Sequence, residues 1–257
     1  ERLNNHEIAE LSASMLGDAG RQTQVVSLLQ QETEGNCFFM VEVVQALADD
    51  SGRLAQIGHH TLPSHIISGG LRRIIQRRLE QVPLWGQPLL QYAAVAGRQL
   101  DLDVIRYLLE QQSDILPAAY SRDNWLNACA EAAVLEIQEQ TWRFSHDRLR
   151  EAVLQLLSDD QSQFIHRHIA EAIETIHPDS ADFNEILLEH WHQAGDHDKE
   201  IYYLNFVAET LVDDLRSDFG RASQLIERGL KLLQPDDARR IRLLNWQSQA
   251  MSTRGDS

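Results

Sequence analysis

The residues best placed to do chemistry are His146 and Asp147, within the run Trp142-Arg143-Phe144-Ser145-His146-Asp147-Arg148-Leu149. After Asp147 the apolar residues Leu149, Val153, Leu156 and Leu157 recur at helical spacing, so His146 stands where a helix begins. A helix start presents unpaired backbone N–H groups and the positive end of the dipole. That environment suits an anion, phosphate above all. A structural account is also open, in which Ser145 or Asp147 caps the helix and His146 fills a surface niche.

Other candidate chemistry is weaker. His59-His60, His166 with His168, and His190 with His192 suggest metal binding. On a helix, residues two apart point about 200° apart, so neither i, i+2 pair can chelate one ion. His166 and Glu189 or His190 would meet only through tertiary packing. No G-x-x-x-x-G-K-[ST] occurs, so no P-loop cradles a triphosphate here, and no G-x-S-x-G supports an acyl-transfer nucleophile. The apolar run Val43–Ala48, ending in Asp49-Asp50, resembles a strand with magnesium ligands, yet its period is helical. Cys37 and Cys129 are the only cysteines, lie far apart in apolar settings, and read as buried thiols of a reducing cytoplasm.

The elements that would position His146 follow from periodicity. Val134–Gln138 alternates apolar and polar residues, and Glu139-Gln140 can turn it back into Thr141–Phe144, a β-hairpin in an otherwise helical chain. Before it come helices over His6–Gln31 (broken at Gly17–Gly20), Phe38–Ala48, Leu71–Val82, Trp85–Ala96, Leu102–Leu109 and Trp125–Ala133. A turn at Thr33–Cys37 and a connector at 53–70 separate them. Helices followed by a two-stranded wing are the pattern of a winged-helix domain. From Phe164 the chain is helical to near its end. Gly195 and Gly220 mark turns between helical hairpins, and Ala208 and Ala222 sit at packing positions. The chain starts without methionine and ends in a polar tail, and is expected to be part of a longer polypeptide with more repeats.

Composition limits the partners. The 257 residues carry 23 basic and 39 acidic side chains, a formal net charge of −16. Such a surface repels nucleic-acid phosphates unless positive charge is concentrated locally. The one basic cluster, Arg72, Arg73, Arg77 and Arg78, flanks an apolar helical stripe and reads as a solvated face. The helix before the hairpin, where a winged-helix protein reads DNA, spans Asn124–Ala133 with Glu131 inside it, Asp123 just before it, and no Lys or Arg. Nucleic acid is therefore not an expected partner. No apolar run approaches a membrane span.

Five blocks in order resemble STAND-type AAA ATPases, the signal-transduction ATPases with numerous domains. They are Glu32–Leu47, Gly70–Leu79, Leu89–Gly97, the F-x-H-D-x-x-x-E-A pattern of Phe144–Ala152, and His166 onward with Glu189–Gly195. The similarity as a whole runs from about residue 7 to 235. The resemblance implies the portion that follows a P-loop domain: a helical lid at 1–57, a winged helix at 58–160, and an incomplete, tetratricopeptide-like sensor array at 161–257. It implies a mainly α fold with one small β-hairpin. It further implies that Gly35-Asn36-Cys37 corresponds to the G-x-P turn bordering the adenine, with Cys37 where the family has proline. His146 corresponds to the histidine that touches the β-phosphate of ADP.

Catalytic residues are expected in none of this chain. ATP or ADP with magnesium would be held through the P-loop domain upstream in the same polypeptide. That parent would be a cytoplasmic signalling ATPase, fused to a protein kinase, cyclase or transcription-regulator domain. A protein or small-molecule effector would bind the helical array. The alternatives are a non-catalytic helical interaction scaffold without nucleotide control, or a winged-helix DNA-binding regulator.

Overall fold

A computed structural model describes residues 2–33, 35–37, 40–41, 43–44, 72, 75–111, 121–213 and 219–255. Among the described residues the fold is mainly helical, with one two-stranded antiparallel sheet. Its helices are α1 (Asn5–Leu16), α2 (Thr23–Thr33), α3 (Gln87–Ala96), α4 (Leu102–Gln111) and α5 (Arg122–Glu131). After the strands β1 (Leu135–Gln138) and β2 (Thr141–Phe144) come α6 (Asp147–Leu154), α7 (Asp159–Ile176) and α8 (Asn184–Gln193). The last three are α9 (His197–Asp213), α10 (Phe219–Leu232) and α11 (Arg239–Gly255). Residues 75–81 are helical too, and so are 37, 40, 41, 43 and 44.

The expected stop at Asp49–Gly52, the connector 53–70, His59-His60 and Arg73 lie outside the described residues. Among the described residues no helix is long and apolar enough to cross a membrane.

Two compact units form, each drawn from two stretches: Glu1–Leu90 with Asp123–Leu156, and Gln91–Arg122 with Leu157–Ser257. This differs from the linear three-part division expected above. Helix α4, assigned there with the hairpin, packs against α7 in the second unit.

In the first unit, α1 starts where Asn4 accepts from the N–H groups of His6 and Glu7, while the Glu7 carboxylate accepts from the Asn4 N–H. This reciprocal capping box satisfies donors that the helix leaves open. A 3₁₀ turn at Gly17–Arg21 then leads into α2. The apolar faces of these helices bury Ile8, Leu16, Val25 and Leu29. Trp125 is fully buried, and its indole N–H donates to the Gly86 carbonyl at 3.0 Å. Phe144 and Leu149 carry the core across the hairpin and α6. Each such side chain contributes about 1.5–3 kcal/mol on burial.

Two details correct the sequence reading. Arg78 is buried, because its guanidinium donates to the Ala133 carbonyl at 3.1 Å instead of facing water. Cys37 is exposed, while Cys129 is buried. Desolvation pushes the Cys129 thiol up to about 12.

In the second unit, Ser158 and Gln161 form another capping box at the start of α7. Helix α8 ends at Gly195, whose φ of +70° suits glycine. There the Asp196 N–H returns to the Trp191 carbonyl and the Gly195 N–H to that of His192, which closes the helix end. The Asp196 carboxylate then accepts from the Lys199 N–H and caps α9. Helices α8 and α9 thus form a helical hairpin, and α10 and α11 extend the array. Ala208 and Ala222 are wholly buried, as expected for small packing positions. Gly220, expected in a turn, is helical and lies in the first turn of α10.

The histidines of each i, i+2 pair go to different partners. His168 meets the Tyr92 hydroxyl at 2.8 Å, and His192 meets Glu200 at 3.0 Å. His166 and His190, on α7 and α8, do meet, with their Nδ1 atoms 2.8 Å apart. One Nδ1 must therefore carry the proton and the other must accept it. Burial, reinforced by the His166 ring and opposed by Glu189, pushes His190 down from 6.5 to about 4.

Between pH 6.5 and 4 the unfolded chain holds the proton that the folded ring refuses. Stability is then fully present above pH 6.5 and is lost as pH falls, by about 3 kcal/mol at pH 4. Urea unfolding across this window should lose that slope in His190→Gln. An unchanged slope contradicts the assignment.

Candidate functional site

The site is built from two turns within the first unit. The first is the approach to His146. Strands β1 and β2 pair in the register Leu135–Phe144, Glu136–Arg143, Ile137–Trp142 and Gln138–Thr141. The two residues between them, Glu139 and Gln140, have φ of +51° and +66°, the left-handed pair of a tight hairpin whose twist matches the strands. One step beyond the ladder, the Ser145 N–H donates to the Val134 carbonyl at 3.0 Å. The Ser145 hydroxyl donates to the Ala133 carbonyl at 2.7 Å, the acceptor that Arg78 also uses. Ser145 is thereby spent on the turn preceding the hairpin.

The cap of α6 falls to His146. Its backbone is extended, and its Nδ1 accepts from the Arg148 N–H at 3.0 Å. Neither Ser145 nor Asp147 caps the helix, because Ser145 is bonded backwards and Asp147 is already helical. An Nδ1 that accepts places the proton of the neutral ring on Nε2. The side chain is wholly buried, so it does not occupy a surface niche.

The second turn follows α2. The Thr33 hydroxyl donates to the Leu29 carbonyl, and the Asn36 N–H returns to the Thr33 carbonyl at 2.8 Å. Gly35, at φ +76°, offers its carbonyl to the Leu3 N–H at 2.8 Å. A Cβ at this position would fall 2.3 Å from the Leu3 carbonyl oxygen, so both the dihedral and the space demand glycine.

Gly35→Ala is expected to cost about 1–2 kcal/mol from the left-handed conformation alone. It should also expose the Leu3 amide to hydrogen exchange. Unaltered stability together with a still-protected Leu3 amide would contradict this close packing.

The two turns meet at the Ser145 carbonyl. It accepts from Arg2 at 3.0 Å and lies 3.4 Å from the Asn36 side-chain amide, 109 residues away in sequence. Of the predicted site residues, the fold therefore brings Gly35 and Asn36 beside the step that leads into His146. Cys37 stays at the surface. Sequence reasoning missed Arg2, which carried no local signal. It also missed Ser145 as the point of contact, since its role rests on a backbone oxygen.

The second unit holds a different polar cluster. The Glu174 carboxylate accepts from Lys199, from the Trp191 indole at 3.0 Å and from the Tyr203 hydroxyl at 2.8 Å. Tyr203 is pushed upward by burial and then by that hydrogen bond. Nearby, the fully buried Glu200 meets His192 and Arg228. No group of three or more potential metal donors among the described residues could hold a metal ion. Comparison with protein-family models, with curated proteins and with solved structures gives no match.

Proposed function

We propose that this chain is the switch portion of a STAND-type ATPase. It would couple the ATP or ADP state of a P-loop domain in the same polypeptide to binding of a partner or effector. One observation carries the reading: the Gly35-Asn36 turn and the Ser145-His146 step, far apart in sequence, share the Ser145 carbonyl as an anchor. In the resemblance these two places are the ones that border nucleotide. The hairpin after α5 supports reading the region around it as a winged helix, and the α8–α9 hairpin supports a tetratricopeptide-like array.

The chemistry of His146 fits a phosphate. Its Nδ1 holds the helix cap, so a phosphate would be met by Nε2–H, beside the positive end of α6. ADP would supply the anion that this donor recognises. Since the ring is wholly buried, phosphate reaches it only if the residues covering it move. That movement is what would make the site a switch, because it opens the ring to the nucleotide. Gly35 and Asn36 would hold the turn that shifts, and Cys37 would stay at its rim.

A second reading, a helical interaction scaffold without nucleotide control, has its own support. Burial and capping account for His146, and the contact with Leu3 accounts for Gly35, with no ligand needed. Hydrogen exchange on the parent polypeptide separates the two readings. The switch reading expects added ADP to change protection of the amides at 145–149. The scaffold reading expects no change, and a parent lacking a P-loop would settle the matter for the scaffold.

A further inference from the structure

The second unit carries a cleft of about 780 Å³, a volume that suits a small ligand. It runs from Glu174 and His177, at the end of α7, to Lys199, Tyr202, Tyr203 and Phe206 on α9. Of the three α9 rings, Tyr202 stands at a steep angle to each of the other two. Tyr202 meets Tyr203 at 89° with centroids 5.0 Å apart, and meets Phe206 at 73° and 5.1 Å. Tyr202 is 52% exposed and Phe206 37%, so aromatic surface lies open along the lining.

The charge of this lining is one-sided. Asp179, Asp196 and Asp198 join Glu174, against the single ammonium of Lys199. Three of these carboxylates are already paired: Glu174 with Lys199, Asp196 with Arg167 and Asp198 with Arg239. Asp179 forms no ion pair among the described residues, although it lies near enough to Tyr203 to raise its pKa. The wall also displays the relevant chemistry on itself. Lys199 sits 2.8 Å from Glu174 and 5.2 Å from the centre of the Trp191 ring, a cation held by a carboxylate and an aromatic face.

We propose that this cleft binds a small organic cation, an ammonium group on a short apolar segment. The charge would face Asp179, and the methylenes would lie on Tyr202 and Phe206. An anion meets the unbalanced charge of Asp179, beside three carboxylates whose charge Lys199, Arg167 and Arg239 offset. A neutral apolar ligand would strip water from Asp179 and give nothing in return. The inference concerns the second unit only, and it stands or falls independently of nucleotide sensing in the first.

Titration calorimetry of the whole chain with n-butylammonium, and with butyrate as a probe of similar length and opposite charge, tests it. Butylammonium should bind saturably and at least about tenfold more tightly than butyrate. Asp179→Asn and Tyr202→Ala change exposed side chains, and asparagine tolerates the left-handed backbone at 179, so both variants should fold. Each should weaken the cation by about tenfold. Lys199→Met should strengthen it, since the competing ammonium is gone, an outcome that a purely structural lysine would not give. The proposal is overturned if butyrate binds as well as butylammonium. It is equally overturned if both weakening variants leave the affinity unchanged.

Discussion

Replacing Glu200 by alanine is expected to destabilise the second unit by up to about 3 kcal/mol, since Arg228, 29% exposed, keeps part of its hydration. Glu200 is wholly buried on the first turn of α9, and three groups from three helices converge on it. His192 of α8 lies 3.0 Å from one carboxylate oxygen, and Arg228 of α10 lies 2.9 Å from the same atom. His197, one turn before it on α9, lies 3.6 Å from the other. The Arg228 Nη2 is itself buried without a hydrogen-bond partner among the described residues, so the carboxylate is its main compensation. Removing only Glu200 strands that guanidinium beside a hole, which costs more than the pair contributes.

The double change Glu200→Leu with Arg228→Met should therefore recover most of the loss, because it removes both charges and refills the space. Urea unfolding followed by helical circular dichroism reads both variants. A Glu200→Ala chain as stable as the parent, or a double variant no better than the single, contradicts the convergence described here.

Where the sequence was legible, the signal was local. The hairpin could be read because residues 134–138 alternate and two turn residues follow, and the strands form within a residue of that expectation. The start of α6 was legible for the same reason. Its cap was misassigned because the competitor for the Ser145 hydroxyl is a carbonyl twelve residues back, which periodicity does not reveal.

Tertiary partners account for the other differences. Arg78 looked like a solvated flank, yet its acceptor is 55 residues away. The His166–His190 contact and the convergence on Glu200 depend on how neighbouring helices pack, and no spacing encodes either. The turn carrying Gly35 was placed correctly, but its requirement for glycine comes from Leu3, at the start of the chain. The regrouping of α4 with α7 likewise rests on contacts distant in sequence.

The second large effect concerns His146, where capping and sensing must be told apart. Alanine removes both functions. Asparagine is among the best capping residues, so His146→Asn keeps an acceptor for the Arg148 N–H while deleting the Nε2 donor. A hydrogen bond to a charged phosphate contributes about 1.5–3 kcal/mol, which corresponds to roughly tenfold to a hundredfold in residence time.

The decisive measurement is the rate of ADP release from the polypeptide that the switch account proposes, this chain behind a P-loop domain, compared between the natural chain and His146→Asn. The switch account predicts faster release by at least about tenfold from a variant whose helix content and unfolding midpoint are close to those of the natural chain. Release at the natural rate from such a folded variant would contradict it, and His146 would then be a helix cap and nothing more.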